Sequence, residues 1–241
     1  MLEAAGWGLL GASSLLIGAV IGARLKLSVS LVGLVLAFGA GTLISAITFE
    51  LTEEAFTLGG ADTVALGLGL GAIAFYSGDR LIERHGKRRR GRMAVASGRH
   101  GESGPALMLG AALDGVPESA VIGTSLLSGT GVGVPVLVAV FLSNLPEAIG
   151  AEAGSPRRPL GRVLGPWLAV VAASTIAAAL GFGLLDGASG DVIGLLQSFA
   201  AGAVLVLLVD EMIPTALKQG GREAGLVATL GFALAYLLST L

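Results

Sequence analysis

Residues 29–50 read VSLVGLVLAFGAGTLISAITFE, a run with no charge before Glu50. A helix of about 20 such residues spans the roughly 30 Å hydrocarbon core of a bilayer. Apolar blocks of similar length recur along the chain, and we read eight of them as spans: 5–23, 29–50, 61–79, 105–127, 132–153, 163–185, 192–216 and 223–241. With 54% hydrophobic residues, only 13% charged ones and a mean hydropathy of +0.84, the chain is too apolar for an ordinary soluble domain. The expected fold class is all-α: a polytopic membrane protein whose single transmembrane domain occupies residues 1–241.

Small residues support that reading. The 39 glycines, together with abundant alanine, would be odd in a soluble helical protein, but in a membrane they let helix backbones approach closely. Gly33, Ala37 and Gly41 form one such spacing. The absence of cysteine excludes disulfides and thiolate metal sites.

The charges are distributed unevenly. All 15 Lys and Arg fall at alternate span ends: Arg24 and Lys26; Arg80 through Arg99; Arg157, Arg158 and Arg162; Lys218 and Arg222. The opposite connections, ELTEEAFTLGGAD, LSGTGVG and LDGASGD, carry no basic residue. The positive-inside rule makes the basic connections cytoplasmic and both termini extracytoplasmic. The first block lacks a basic n-region and has its positive charges on the far side, so it reads as a retained span rather than a signal. Trp7, Trp167, Tyr76 and Tyr236 fall near span ends, where amphipathic rings favour the interface.

The long hydrophilic segment 80–104, RLIERHGKRRRGRMAVASGRHGESG, is expected to be a flexible cytoplasmic loop. Topology and contact with anionic lipid explain its basic run without a nucleic-acid partner. His85 and His100 lie there as polar filler more readily than as ligands. Elsewhere the chain repeats itself: FGAGTLISAITFELTEEA from Phe38 matches FAAGAVLVLLVDEMIPTA from Phe199, which aligns Glu50 with Glu211. The two spans run in opposite directions, so this is an inverted repeat of the kind that surrounds midplane sites in secondary transporters. Spans four and five would be related in the same way.

Those two spans carry near-copies of one device, AALDGVPESAV at 111–121 and FLSNLPEAIG at 141–150. A carboxylate in lipid costs about 2.5–3.5 kcal/mol on insertion scales. Asp114 and Glu118 are one helical turn apart on the same face. Pro117 between them removes a backbone donor and frees the carbonyl of Leu113, which is tolerable at membrane depth only against protein or a hydrated cavity. Ser143, Asn144, Pro146 and Glu147 repeat the arrangement, and span seven adds Asp210, Glu211 and Pro214.

No basic residue inside a span pairs with these five carboxylates. They bind a cation, share protons or become neutral, and a divalent metal with oxygen ligands balances the charge well. The competing explanation is protonated carboxyls hydrogen-bonded between helices. Glu50, Glu53 and Glu54 close span two on the outer side, where they could recruit cations at an entrance or simply form a solvated helix end. Ser174 and Thr175 are the most polar positions of span six, and such hydroxyls usually bond back to their own helix.

At these residues the sequence resembles the ZIP family of divalent metal transporters. The resemblance implies eight spans, extracellular termini, a variable cytoplasmic loop after span three and metal ligands mainly on spans four and five. The family's span-four pattern His-Asn-x-Pro-Glu-Gly falls on Asp114, Gly115, Val116, Pro117, Glu118 and Ser119. Its span-five pattern falls on Ser143, Asn144, Leu145, Pro146, Glu147 and Ala148. The end of span seven is similar at Glu211, Met212, Ile213, Pro214 and Thr215, as is the opening LAFGAGTLISA of span two. Both motif histidines are missing, Gly115 stands where the family has Asn, and Ser174 or Thr175 stands where span six often has an acid. A site without imidazole is harder, which shifts preference from zinc toward manganese, iron or magnesium.

The expected function is transport of a divalent cation (zinc by family default, or manganese, iron or cadmium) toward the cytoplasm. Asp114, Glu118, Asn144, Glu147 and Glu211 would be ligands, with Ser143 and Asp210 in support and Glu50 and Glu53 at the entrance. The cation is substrate, and no tightly bound cofactor is expected. The partners are the lipid bilayer of a bacterial inner membrane and, from the resemblance and the small-residue faces, a second copy in a homodimer. The alternatives are a proton or other cation pathway, and a transport-inactive metal-binding receptor or scaffold. An enzyme is not expected, because no span contains histidine and no hydrolytic partner set can be identified.

Overall fold

The computed structural model describes residues 1–97, 115, 118–120, 122–123, 125–126, 134–153 and 158–239. Among these every regular element is a helix. Helix α1 is Leu2–Arg24 and α2 is Val29–Ser45; α2 continues through a π-helical turn, Ala46–Thr52, into α3, Glu53–Ser97. Then come α4, Val134–Glu152; α5, Leu160–Leu185; and α6, Gly190–Leu207. A second π-helical turn, Leu208–Met212, leads into α7, Ile213–Gly220, and α8 is Glu223–Ser239. Gly115, Ser125 and the described residues from Glu118 to Gly123 are also helical.

Among the described residues, four stretches are long and apolar enough to cross a membrane: Leu2–Arg24, Val29–Gly78, Leu160–Leu185 and Gly190–Gly220. Helix α8 is apolar but shorter. Their length and composition are those of an integral membrane protein.

Local chemistry explains the boundaries. Ser28 caps α2, its hydroxyl accepting the Leu31 amide at 3.2 Å. Within α3 the backbone breaks at Gly60, with φ +73 and ψ −177. A side chain there would be strained by the backbone alone, so glycine is what permits the chain to leave the first short arm of α3 and begin the next. Past Gly78 the helix does not end, which corrects the expected loop at 80–104: residues 80–97 are helical, and 98–104 lie outside the described residues. The stretch contains no proline and is rich in Arg, a good helix former, so leaving the apolar zone gives the helix no reason to stop.

Two apolar cores organise the bundle. Ala12, Leu15 and Ala19 of α1 pack with Ala148 of α4 and with Val163, Trp167, Val170 and Val171 of α5. A larger core joins Leu36, Ala40 and Leu43 of α2 to Ile122, to Val136 and Val140 of α4, and to Ala201 and Val204 of α6. Around it, helix pairs meet backbone to backbone. A methyl added at Gly41 would strike the carbonyl of Ala228, and one at Gly231 the carbonyl of Phe38, so α2 and α8 are in direct contact. A methyl at Gly202 would likewise strike the carbonyl of Leu68, and one at Gly71 the carbonyl of Phe199, which joins α6 to α3. Phe38 and Gly41 are the positions that align with Phe199 and Gly202, and their partners carry the same three-residue spacing. The π-helical turns also fall at matching places in the two segments.

The ends sort by charge. Gly22, near the end of α1, lies against the Ile149 carbonyl and Glu152, and Glu152 is paired with Arg158. Gly33, in the first turns of α2, lies against Gln219 and Gly220. Arg24, Arg158, Lys218 and Arg222 therefore gather at one end. At the other, Met1 packs on Gly183, and Gly190 faces the carbonyl of Leu58.

Candidate cation site

The two Pro-Glu segments meet inside the bundle. Glu118 is 6% exposed, and its Oε2 has no hydrogen-bond partner among the described residues. Glu147 of α4 is half-buried, and its carboxylate is near enough to act on the charge of Glu118. Asn144, three residues before Glu147, is 1% exposed, with Oδ1 likewise unpartnered. Pro146 has no N–H to give the Leu142 carbonyl, so α4 loses a helical hydrogen bond next to Asn144 and Glu147. Ser143 is buried, its hydroxyl donating to the Val140 carbonyl at 3.0 Å.

Hydroxyls frame the same region. Ser119 and Ser174 are buried, with Oγ atoms that lack partners among the described residues. Ser174 Oγ lies 3.1 Å from where a Cβ on Gly115 would stand, so α5 fills the space left by the missing side chain. Thr175 instead bonds back to the Val171 carbonyl at 2.8 Å, as anticipated for a hydroxyl in an apolar helix. An unsatisfied buried polar atom costs about 1–3 kcal/mol. These oxygens thus form a polar, incompletely satisfied patch inside an apolar bundle.

Beside it is a cavity of about 20 Å³, room for roughly one water-sized species. Its exposed wall is wholly apolar, made by Leu43, Ala46, Ile47, Leu51, Val136, Val140 and Val204 together with the side-chain carbons of Glu118 and Glu50. Glu50 reaches it because α2 takes on an extra residue per turn at Ala46–Thr52 and shifts its face. The Thr52 hydroxyl donates to the Ile47 carbonyl, five residues back, at 2.7 Å. Gly39 sits against Pro146 and Met212, which brings α2, α4 and the second π-helical turn together.

The remaining candidates fall as follows. Glu53 and Asp210 are exposed. Glu211 lies on the second π-helical turn, with its side chain outside the described residues, and Asp114 and Pro117 lie outside them altogether. Among the described residues no three Asp, Glu or His side chains come together as a metal cluster. What the described part supplies is the Glu118–Glu147 pair, the amide oxygen of Asn144 and nearby hydroxyls: oxygen donors suited to hard cations.

Three functional-looking groups escaped the sequence reading. Ser119 was treated only as a motif position. Gln197 of α6 is 1% exposed, and neither amide atom has a partner among the described residues. A lone amide in the apolar run VIGLLQSFAAG was the signal that could have found it. Glu152 is buried at the end of α4, bound by Arg158 at 2.6 Å, and accepts the Trp167 indole N–H at 3.0 Å. Trp167 is therefore a buried donor near the start of α5.

Comparison with protein-family models finds no match, and no curated protein matches the chain.

Proposed function

We propose that this protein is a ZIP-like secondary transporter carrying divalent cations toward the cytoplasm through a carboxylate-lined site. The observation that carries the reading is the meeting of Glu118 and Glu147, from two copies of one Pro-Glu device, beside a cavity that Glu50 also lines. Two carboxylates that repel each other in an apolar interior are relieved by a cation between them. Asn144 and Ser143 would complete an oxygen set, with Asp114 and Glu211 contributing from the neighbouring motif positions and Asp210 in support.

The architecture in this reading is eight spans with an inverted repeat. Support comes from the matched glycine contacts of α2 with α8 and of α6 with α3, and from π-helical turns at matching positions. The gathering of Arg24, Arg158, Lys218 and Arg222 at one end supports a cytoplasmic face there, with both termini on the other side of a bacterial plasma membrane. A site made of oxygen donors favours manganese, iron or magnesium over zinc. Alternating access would move one set of helices against the other.

The test is uptake of zinc, manganese, iron and cadmium into proteoliposomes, with Glu118→Ala alongside. Saturable uptake lost in the mutant supports the transporter. Uptake that ignores metal but follows a pH gradient replaces it with a proton pathway shared by Glu118 and Glu147. No movement of any cation, from folded protein, makes the chain a receptor or scaffold.

A further inference from the structure

The transport reading leaves Gln197 without a task. It lies on α6 one turn beyond Gly194, and Gly194 packs directly on the carbonyl of Ala55 in the first arm of α3. This contact turns Gln197 toward Glu54, which is half-buried in the first turn of α3. The amide lies near enough to the Glu54 carboxylate to act on it, though neither of its atoms has a partner at full hydrogen-bond geometry among the described residues. A purely structural glutamine at so tight a helix contact would bond fully to a backbone or side-chain group, because an unsatisfied buried amide is costly at either end.

Glu54 is not isolated from the cavity. Glu53 and Glu54 both lie within electrostatic range of Glu50, and Glu50 shares the cavity wall with Glu118. Carboxylates therefore lead stepwise from the end of the bundle near Gly60, through Glu54 and Glu50, to Glu118. Among the described residues of α6, Ser198 is also deeply buried but is bonded to the Gly194 carbonyl at 2.6 Å, which leaves Gln197 as the deeply buried polar group without such a bond. Its carbonyl oxygen is a neutral hard donor, and its amide N–H can hold the second oxygen of Glu54 in place.

We propose that Glu54 and the Gln197 amide oxygen, with Glu50 completing the set, form a second site that holds a hard divalent cation before it reaches Glu118. This rests on the transport reading for its direction, but its occupancy can be measured without any transport. Two carboxylates and one amide oxygen are a sparse set for a cation that takes six or more oxygens, so the ion is held weakly and released readily, which is what a staging site requires.

The experiment counts manganese bound to the full chain in nanodiscs, from the loss of the free-ion electron paramagnetic resonance signal. Wild type should bind two ions. Gln197→Leu and Glu54→Gln should each lose the same ion and keep the one that Glu118→Gln loses. Gln197→Glu should keep both and bind the outer ion about tenfold more tightly, since it adds a charge where the amide now stands. If Gln197→Leu and Glu54→Gln retain both ions at unchanged affinity while the melting temperature falls, the pair is only a staple between α3 and α6 and the proposal is wrong. Weaker manganese binding in Gln197→Glu overturns it as well, and does so even if Gln197→Leu fails to fold. Should Glu118→Gln leave both ions bound while Glu54→Gln removes one, the outer site stands and the assignment of Glu118 fails.

Discussion

The two π-helical turns share a backbone device and differ in what they show to their surroundings. Ala46–Thr52 turns Glu50 onto the cavity wall opposite Glu118, and the Thr52 hydroxyl braces it through the Ile47 carbonyl. Leu208–Met212 leaves Asp210 exposed, while Met212 packs on Gly39 beside Pro146. The residue aligned with Thr52 is Ile213, which has no hydroxyl. A π-helical turn costs hydrogen-bond quality and persists where a shifted helix face is useful. Among the described side chains, the acid of the first turn, Glu50, lines the cavity, whereas Asp210 of the second stays exposed, so one backbone device serves two surroundings.

The largest test removes what the first turn faces. Glu118→Ala and Glu147→Ala should each bring metal uptake in proteoliposomes down to the protein-free background; normal uptake at normal expression from either variant would sink the assignment. Next, Glu50→Gln should cut uptake several-fold, chiefly by raising the half-saturating metal concentration, whereas Asp210→Asn should cost less. Equal losses from the two would erase the contrast between the turns.

The packing can be challenged independently. Gly41→Ala and Gly202→Ala press a methyl onto a carbonyl at matching places, so each should destabilise by about 1–3 kcal/mol, read as a lowered melting temperature in detergent. A large effect in one with none in the other would break the correspondence of the two halves. Smallest of all, Thr52→Val should cost about 1 kcal/mol by removing the brace on the first turn, a change for which the second turn offers no counterpart. Unaltered thermal stability would mean that packing alone holds the π-helical geometry.

Much of this was legible in the residues. Uncharged runs of membrane length marked α1, α5 and the long stretches through α2 and α6, because hydropathy and helix length answer to the same solvent. The likeness of the Phe38 and Phe199 segments was legible as well, whereas the glycine contacts at matching places emerged only from the packing, since only glycine admits a carbonyl that close. The Pro-Glu copies pointed to Glu118 and Asn144, which the fold buries, and to Glu147, which lies within electrostatic range of Glu118. The π-helical turns were not legible: a shift in hydrogen-bond register leaves no trace in apolar periodicity. Hydropathy also hid the course of α3 past Gly78, because charge ends a membrane run without ending a helix. Pairings such as Glu152 with Arg158 and Trp167 depend on how α4 and α5 pack, which no local pattern encodes.

That uninterrupted course of α3 has a mechanical consequence. From Gly60 to Ser97 it extends on the order of 55 Å, nearly twice the thickness of the hydrocarbon layer. Its far portion is a lever arm about 40 Å long, rooted in the contact of Gly71 with Phe199. A tilt of about 10° at that root swings the tip by about 7 Å, so a spectroscopic label near Ser97 would amplify movements of α6 too small to see at the cavity itself.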